Sequence, residues 1–150
     1  MDKAENPDFV VTQANWPSHG RAIAEVRRRV FIDEQGVPEA LEWEARDAGC
    51  DWFVAWAGGE PIGIARLTPE AQIGRMAVLP NWRRRGVGSA LLRALLRHAR
   101  DKGLRAVWLH AQTHALPFYA RHGFRTEGEV FIEAGIAHRR MSLVLEGEPP

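Results

Sequence analysis

Between residues 73 and 111 the chain passes from one strand-like run through a glycine turn and an amphipathic helix into a second strand-like run. Ile73-Gly74-Arg75-Met76-Ala77-Val78 leads to Arg83-Arg84-Arg85-Gly86-Val87-Gly88, and Val107-Trp108-Leu109-His110-Ala111 closes the unit. From about Ser89 to Lys102, Leu91, Leu92, Leu95, Leu96 and Ala99 fall on one helical stripe, with Arg93, Arg97 and Arg100 facing outward. Gly103 is placed as the C-terminal stop. Strand, crossover helix and strand make a βαβ unit, so the fold must contain a parallel strand pair.

The flanking segments read differently. Phe9-Val10-Val11 is a short strand candidate, and Ser18 is placed to cap a helix carrying Ile23, Val26, Val30 and Phe31 on one face. Asp33 through Asp47 is acidic and irregular, broken by Gly36 and Pro38. Trp52–Trp56 and Ile62–Leu67 flank Gly58-Gly59, a hairpin signal, and Pro69-Glu70-Ala71 turns the chain into the run from Ile73. Beyond the βαβ unit, a short helix around Ala115 to His122 stops at Gly123. Phe124–Ile132 then pairs with Ile136–Leu145 around Glu133-Ala134-Gly135. The expectation is one α/β (α+β) domain, residues 1–150 with a core of about 8–145, built on a mixed sheet. At 150 residues there is room for one main core.

The two glycines let the turn bring its amides close to a ligand. The helix behind it offers unpaired N–H donors and a positive dipole end. With the arginines, this is a cradle for phosphate or pyrophosphate. A Walker loop would need a Lys-Ser or Lys-Thr pair, which is absent, and a dinucleotide fingerprint would need a third glycine where Leu91 stands.

Global properties narrow the class further. A formal net charge of +1 gives no broad basic field, and the six tryptophans are dispersed, which argues against nucleic-acid binding. The lone cysteine, Cys50, has no intrachain disulfide partner. The first seven residues lack the apolar core of a secretory signal, and no apolar run approaches the roughly 20 residues of a bilayer span. A cytoplasmic protein without membrane or nucleic-acid partners is expected. The six histidines show no paired ligand spacing, so no metal is expected.

Val78-Leu79-Pro80-Asn81-Trp82-Arg83-Arg84-Arg85-Gly86-Val87-Gly88 resembles the acyl-CoA signature of the GNAT superfamily of N-acetyltransferases. Three more segments resemble its ElaA-like branch: Val30 to Pro38, His110 to Tyr119 with Gly123-Phe124, and Glu133-Ala134-Gly135-Ile136-Ala137-His138. The resemblance implies a mostly antiparallel sheet with flanking helices, in which two parallel strands splay apart around acetyl-CoA. It assigns the pyrophosphate to Arg83, Arg84, Arg85, Gly86, Val87 and Gly88, with Ser89 adding a hydroxyl, and the pantetheine arm to the backbone of Met76, Ala77 and Val78. Arg84 and Arg85 read equally as solvated charges.

The implied reaction moves an acetyl group directly to a primary amine, of a small molecule or a protein. Its amine, with an ordinary pKa of about 10.4, must lose a proton, and the departing thiolate must gain one. Tyr119, the only tyrosine, matches the family's general-acid position; it also reads as a packing residue. Glu34 and His110 are the candidate bases, against an exposed loop carboxylate and a structural strand histidine. His138 resembles a family histidine, although Ala137 stands where that branch usually has proline. His114 is placed to cap the short helix. Glu34, Glu39, Glu42, Glu44 and Asp47 read either as an attractor for a cationic amine or as a solvated acidic loop. A catalytically inactive acyl-CoA-binding module is the competing function, and a homodimer through a sheet edge or the last hairpin stays open.

Overall fold

A computed structural model describes residues 8–39, 43 and 45–145. The amino-terminal segment read for a signal, and Glu42 and Glu44 of the acidic segment, lie outside the described residues. Seven strands form one sheet: β1 (Val10–Ala14), β2 (Asp51–Ala57), β3 (Glu60–Leu67), β4 (Gln72–Val78), β5 (Ala106–Gln112), β6 (Arg125–Glu133) and β7 (Ile136–Val144). Their spatial order is β1-β2-β3-β4-β5-β7-β6, and every neighbouring pair is antiparallel except β4–β5. This is the mixed α/β architecture expected, with helices on both faces.

Helix α1 (Trp16–Arg27) packs on β3 and β4. Its cap is not Ser18 but Asn15, whose extended backbone lets its carbonyl accept the amides of Ser18 (3.1 Å) and His19 (2.7 Å). Placing Pro at the first helical turn shifts the start upstream, because proline's missing N–H costs nothing there. The helix continues into a π-helical turn, Arg28–Glu34, that buries Val30 and Phe31 and delivers Glu34 and Gln35 to one end of the sheet. The segment expected to be irregular through Asp47 is thus helical at its beginning, and again in a 3₁₀ turn at Ala45–Gly49.

Asp47 is buried rather than solvated. Arg27 Nη1 donates to its Oδ2 at 2.7 Å and Arg66 Nη1 to its Oδ1 at 2.8 Å, while Trp52 Nε1 donates to its carbonyl at 2.8 Å. The pairing ties the segment before β2 to α1 and β3.

Helix α2 (Val87–Asp101) begins two residues earlier than its leucine pattern indicated and covers the opposite face of the sheet. Val87, Leu91, Leu92, Leu95, Leu96 and Ala99 are buried, each leucine contributing about 1.5–3 kcal/mol of transfer free energy. Gly63 lets the helix approach β3, since a Cβ there would meet Leu91 Cδ1 at 3.0 Å and Val87 Cγ1 at 3.1 Å. Gly103 takes a φ of 83° and the Leu104 amide returns to Ala99 O, ending the helix as expected. The short helix is α3 (Leu116–Ala120), capped at Ala115 with no side-chain bond, so His114 does not cap it.

The strand pair that matters most is β4–β5. It is in register only at Gln72↔Trp108 and Ile73↔Leu109. Beyond those pairs the strands separate. On its other side β4 carries one extra residue: Arg66 pairs Gly74 while Ile64 pairs Ala77, and Arg75 adopts a φ of 48°. Such a bulge bends a strand and raises its twist. It falls where β4 leaves β5.

Candidate active site

The separation of β4 from β5 opens a cavity of about 800 Å³. Glu34 and Gln35 wall it from the π turn, Gly74 to Val78 from β4, His110 and Gln112 from β5, Phe118 and Tyr119 from α3, and Glu133 and His138 from the last hairpin. Gly88 lies at its edge, at the start of α2.

The loop after β4 bends through two left-handed residues, Arg84 (φ 63°) and Gly86 (φ 84°). Alternation of this kind turns successive amides toward one side and makes an anion-binding concavity. Gly86 caps α2 without a side-chain hydrogen bond, so the first-turn amides have no side-chain acceptor. The three arginines go separate ways. Arg83 forms a bidentate pair with Glu34 (2.7 and 2.6 Å), and its Nε donates to Val78 O at 2.9 Å. Arg85 stacks on Trp82, 4.2 Å from the ring centre. Arg84 has no side-chain partner among the described residues. Ser89 Oγ lies 3.2 Å from His122 Nε2, whose pKa is lowered by burial and by the neighbouring Arg93 and Arg121.

Tyr119 is only 9% exposed. Its ring meets Phe118 and Phe124 edge-on, and burial pushes the phenol above its ordinary range, keeping it protonated. Among the described residues its hydroxyl has no hydrogen-bond partner.

A family model described as "Acetyltransferase (GNAT) domain" matches residues 12–145. The Bacillus subtilis protein YjcF, named an uncharacterized N-acetyltransferase, is 38% identical over 120 residues, covering 77% of this chain and 86% of that one. The chain belongs to the GNAT acetyltransferase family. Among solved structures, Escherichia coli ElaA superposes with a TM-score of 0.80 at 25% identity, and an acyl-CoA N-acyltransferase from Pseudomonas aeruginosa with 0.79 at 28%. Each comparison covers 89% of this chain and 98% of the other. This GNAT protein is therefore an acyl-CoA N-acyltransferase, as its sequence motifs led one to expect.

Within the GNAT frame, the candidate acid Tyr119 and both candidate bases, Glu34 and His110, line the same cavity, as do Met76, Ala77, Val78, Arg83 and Gly88. Arg84, Arg85, Gly86, Val87 and Ser89 form the loop and helix start outside its lining. Hydrogen bonding to Arg83 holds the Glu34 carboxyl below the usual carboxylate range, which weakens it as a base. Of the acidic segment's candidate residues, the three that are described are each paired with arginine: besides Glu34 and Asp47, Glu39 is bound to Arg28 at 2.6 Å.

His110 shares its sheet face with Trp108 and Gln112, and its Nδ1 lies 3.3 Å from Glu133 Oε2. Glu133 carries no chemical signal in the sequence beyond its place in the ElaA-like hairpin segment, just before Ala134-Gly135. Gln35 and Gln112, each inside an ElaA-like segment, carry no such signal either, yet Gln112 Nε2 donates to Gln35 Oε1 at 3.0 Å across the cavity wall. Among the described residues no group of three or more His, Cys, Asp or Glu could hold a metal ion, and no helix is long and apolar enough to cross a membrane.

Proposed function

We propose that this protein transfers an acetyl group from acetyl-CoA directly to a primary amine. One observation carries the reading: the gap between β4 and β5 has an open helix N-terminus at Gly86–Ser89 near one end and is lined by Tyr119, a buried residue whose hydroxyl has no hydrogen-bond partner among the described residues. The fit is favourable on this chain's own residues. At Gly86 an added Cβ would meet nothing within 4 Å, so the loop stands clear of protein on that side. The amides of Val87, Gly88 and Ser89 would hold the pyrophosphate, aided by Arg84, and the bulged edge of Met76, Ala77 and Val78 would face the pantetheine arm. Bound acetyl-CoA supplies an activated thioester.

Tyr119 serves as the general acid. A phenol is protonated at neutral pH, and burial raises its pKa further, so its proton is present for the sulfur when the C–S bond breaks. Arg83 and Glu34 form a strap between the phosphate loop and the π turn. With the Glu34 carboxylate held by Arg83, proton removal from the amine belongs to the histidine side of the cavity, where His110 and His138 stand.

The test is release of free thiol from acetyl-CoA against a panel of small amines, amino-terminal peptides and lysine peptides, with mass spectrometry of the acceptor. Acetylated amine and stoichiometric thiol support the reading. Acetyl-CoA binding without turnover across the panel would favour an inactive acyl-CoA-binding module instead.

A further inference from the structure

At the far end of the last hairpin, two imidazoles and one carboxylate meet on the wall of the cavity. Ala134 (φ 52°) and Gly135 (φ 78°) are both left-handed, so β7 returns at once beside β6, pairing Glu133 with Ile136 and Phe131 with His138. β7 also pairs β5, setting His138 opposite Gln112 and Arg140 opposite His110. These pairs share one sheet face. Leu109 and Met141, paired on the other face, lie on the side of α3, where Met141 lines a groove with Leu116, Pro117 and Phe124. The cluster and the helix bearing Tyr119 therefore approach the gap from opposite faces.

His138 is 8% exposed and stacks on Phe131 with ring centres 5.9 Å apart. Its Nδ1 is 2.7 Å from Ile136 O. A carbonyl oxygen only accepts, so Nδ1 carries the proton and Nε2 of the neutral ring keeps a lone pair. That Nε2 lies 3.9 Å from Glu133 Oε1, and Glu133 Oε2 lies 3.3 Å from His110 Nδ1. Phe131, edge-on to His110 at 4.8 Å, fills the space between the two rings. One carboxylate thus bridges two imidazoles, one of which presents an unprotonated nitrogen on a cavity wall.

We propose that His138 Nε2 takes the proton from the acceptor's ammonium group, and that Glu133, held by His110, positions His138 and stabilises the imidazolium that forms. The inference rests on the acetyl-transfer reading above. The amine nitrogen sheds two protons as the C–N bond forms and the C–S bond breaks. His138 passes one to solvent. Tyr119 gives its own proton to the sulfur and recovers the other from the nitrogen, so amine, acetyl group and protons balance. The charged and titratable groups that line the cavity with His138 are Glu133 from β6, His110 from β5, Arg66 and Arg75 from β3 and β4, His114, Tyr119 from α3, and Glu34 paired with Arg83.

The test is the pH profile of kcat/KM for the best amine, in wild type, His138→Gln and Glu133→Gln, with acetyl-CoA affinity and melting temperature measured alongside. His138→Gln should lose about 10²–10⁴-fold near neutral pH at unchanged acetyl-CoA affinity. Its deficit should shrink as pH approaches the amine's own pKa, about 10.4, where the substrate no longer needs a base. Added imidazole should restore part of the rate. Glu133→Gln should lower kcat and move the acidic limb of the profile to lower pH, because the imidazolium loses its counter-charge; it carries the test if His138→Gln fails to fold. An active wild type whose variants run parallel to it at every pH overturns this inference alone. A wild type inert toward every amine overturns both readings.

Discussion

Two glycines two residues apart make separable contributions, and a pair of substitutions distinguishes them. Gly86 needs its φ of 84°, and an added Cβ would touch nothing within 4 Å. Gly86→Ala therefore carries only the backbone cost of a left-handed non-glycine, about 1–2 kcal/mol, or roughly 2–8 °C in Tm for a domain of this size. Gly88 is the reverse. A Cβ there lies 3.5 Å from Phe118 Cζ and 3.9 Å from Val78 Cγ2, ordinary contact distances, in a helix with no backbone strain. Gly88→Val should thus fold nearly as well as wild type while its branches enter the cavity that Gly88 lines. Displacing a phosphate from even one amide forfeits a charge-assisted hydrogen bond of about 1.5–3 kcal/mol. The dissociation constant for acetyl-CoA should rise about 10- to 150-fold. Calorimetric titration with acetyl-CoA, paired with thermal melts, reads both quantities. Wild-type affinity in Gly88→Val would refute the cradle.

The other expectations concern the acid, the strap and the buried pair. Tyr119→Phe should lower kcat by about 10²–10⁴-fold with acetyl-CoA affinity unchanged, measured by thiol release and titration; an unaltered kcat removes Tyr119 from the chemistry. Glu34→Gln should retain most of kcat if Glu34 only holds Arg83, whereas a base would lose about 10²-fold or more. Because hydrogen bonding to Arg83 lowers the Glu34 pKa from 4.5, its contribution is present above that value and disappears as pH falls through the folded-state value. The melting curves of wild type and Glu34→Gln should therefore differ slightly at neutral pH, by less than about 1 kcal/mol for so exposed a pair, and converge in acid. Asp47→Asn removes a buried carboxylate charge that pairs with two buried guanidinium groups and should cost about 3–5 kcal/mol by denaturant titration.

What could be read beforehand was local. Leu91, Leu92, Leu95 and Leu96 place α2 because helical spacing is a property of neighbours, and Gly58-Gly59 places the β2–β3 hairpin for the same reason. The site's less legible parts depend on distance along the chain. Asp47 looks like one more loop carboxylate until the fold brings Arg27 and Arg66 to it, 20 and 19 residues away. Glu34 looks free until Arg83 arrives from 49 residues on. The bulge that opens β4 sits at Arg75, an ordinary residue at a positive φ, where a glycine would have marked the place. Glu133 likewise becomes legible only when β7 sets His138 between β5 and β6. The family resemblance located the wedge and its tyrosine because its motifs are contiguous; contacts between motifs needed the fold.

A crystal structure of the protein soaked with acetyl-CoA tests the central claim most directly. The account predicts pyrophosphate oxygens within about 2.7–3.2 Å of the amides of Val87, Gly88 and Ser89, with the pantetheine arm between β4 and β5. Acetyl-CoA bound with its pyrophosphate away from those amides, or outside the β4–β5 gap, would contradict it.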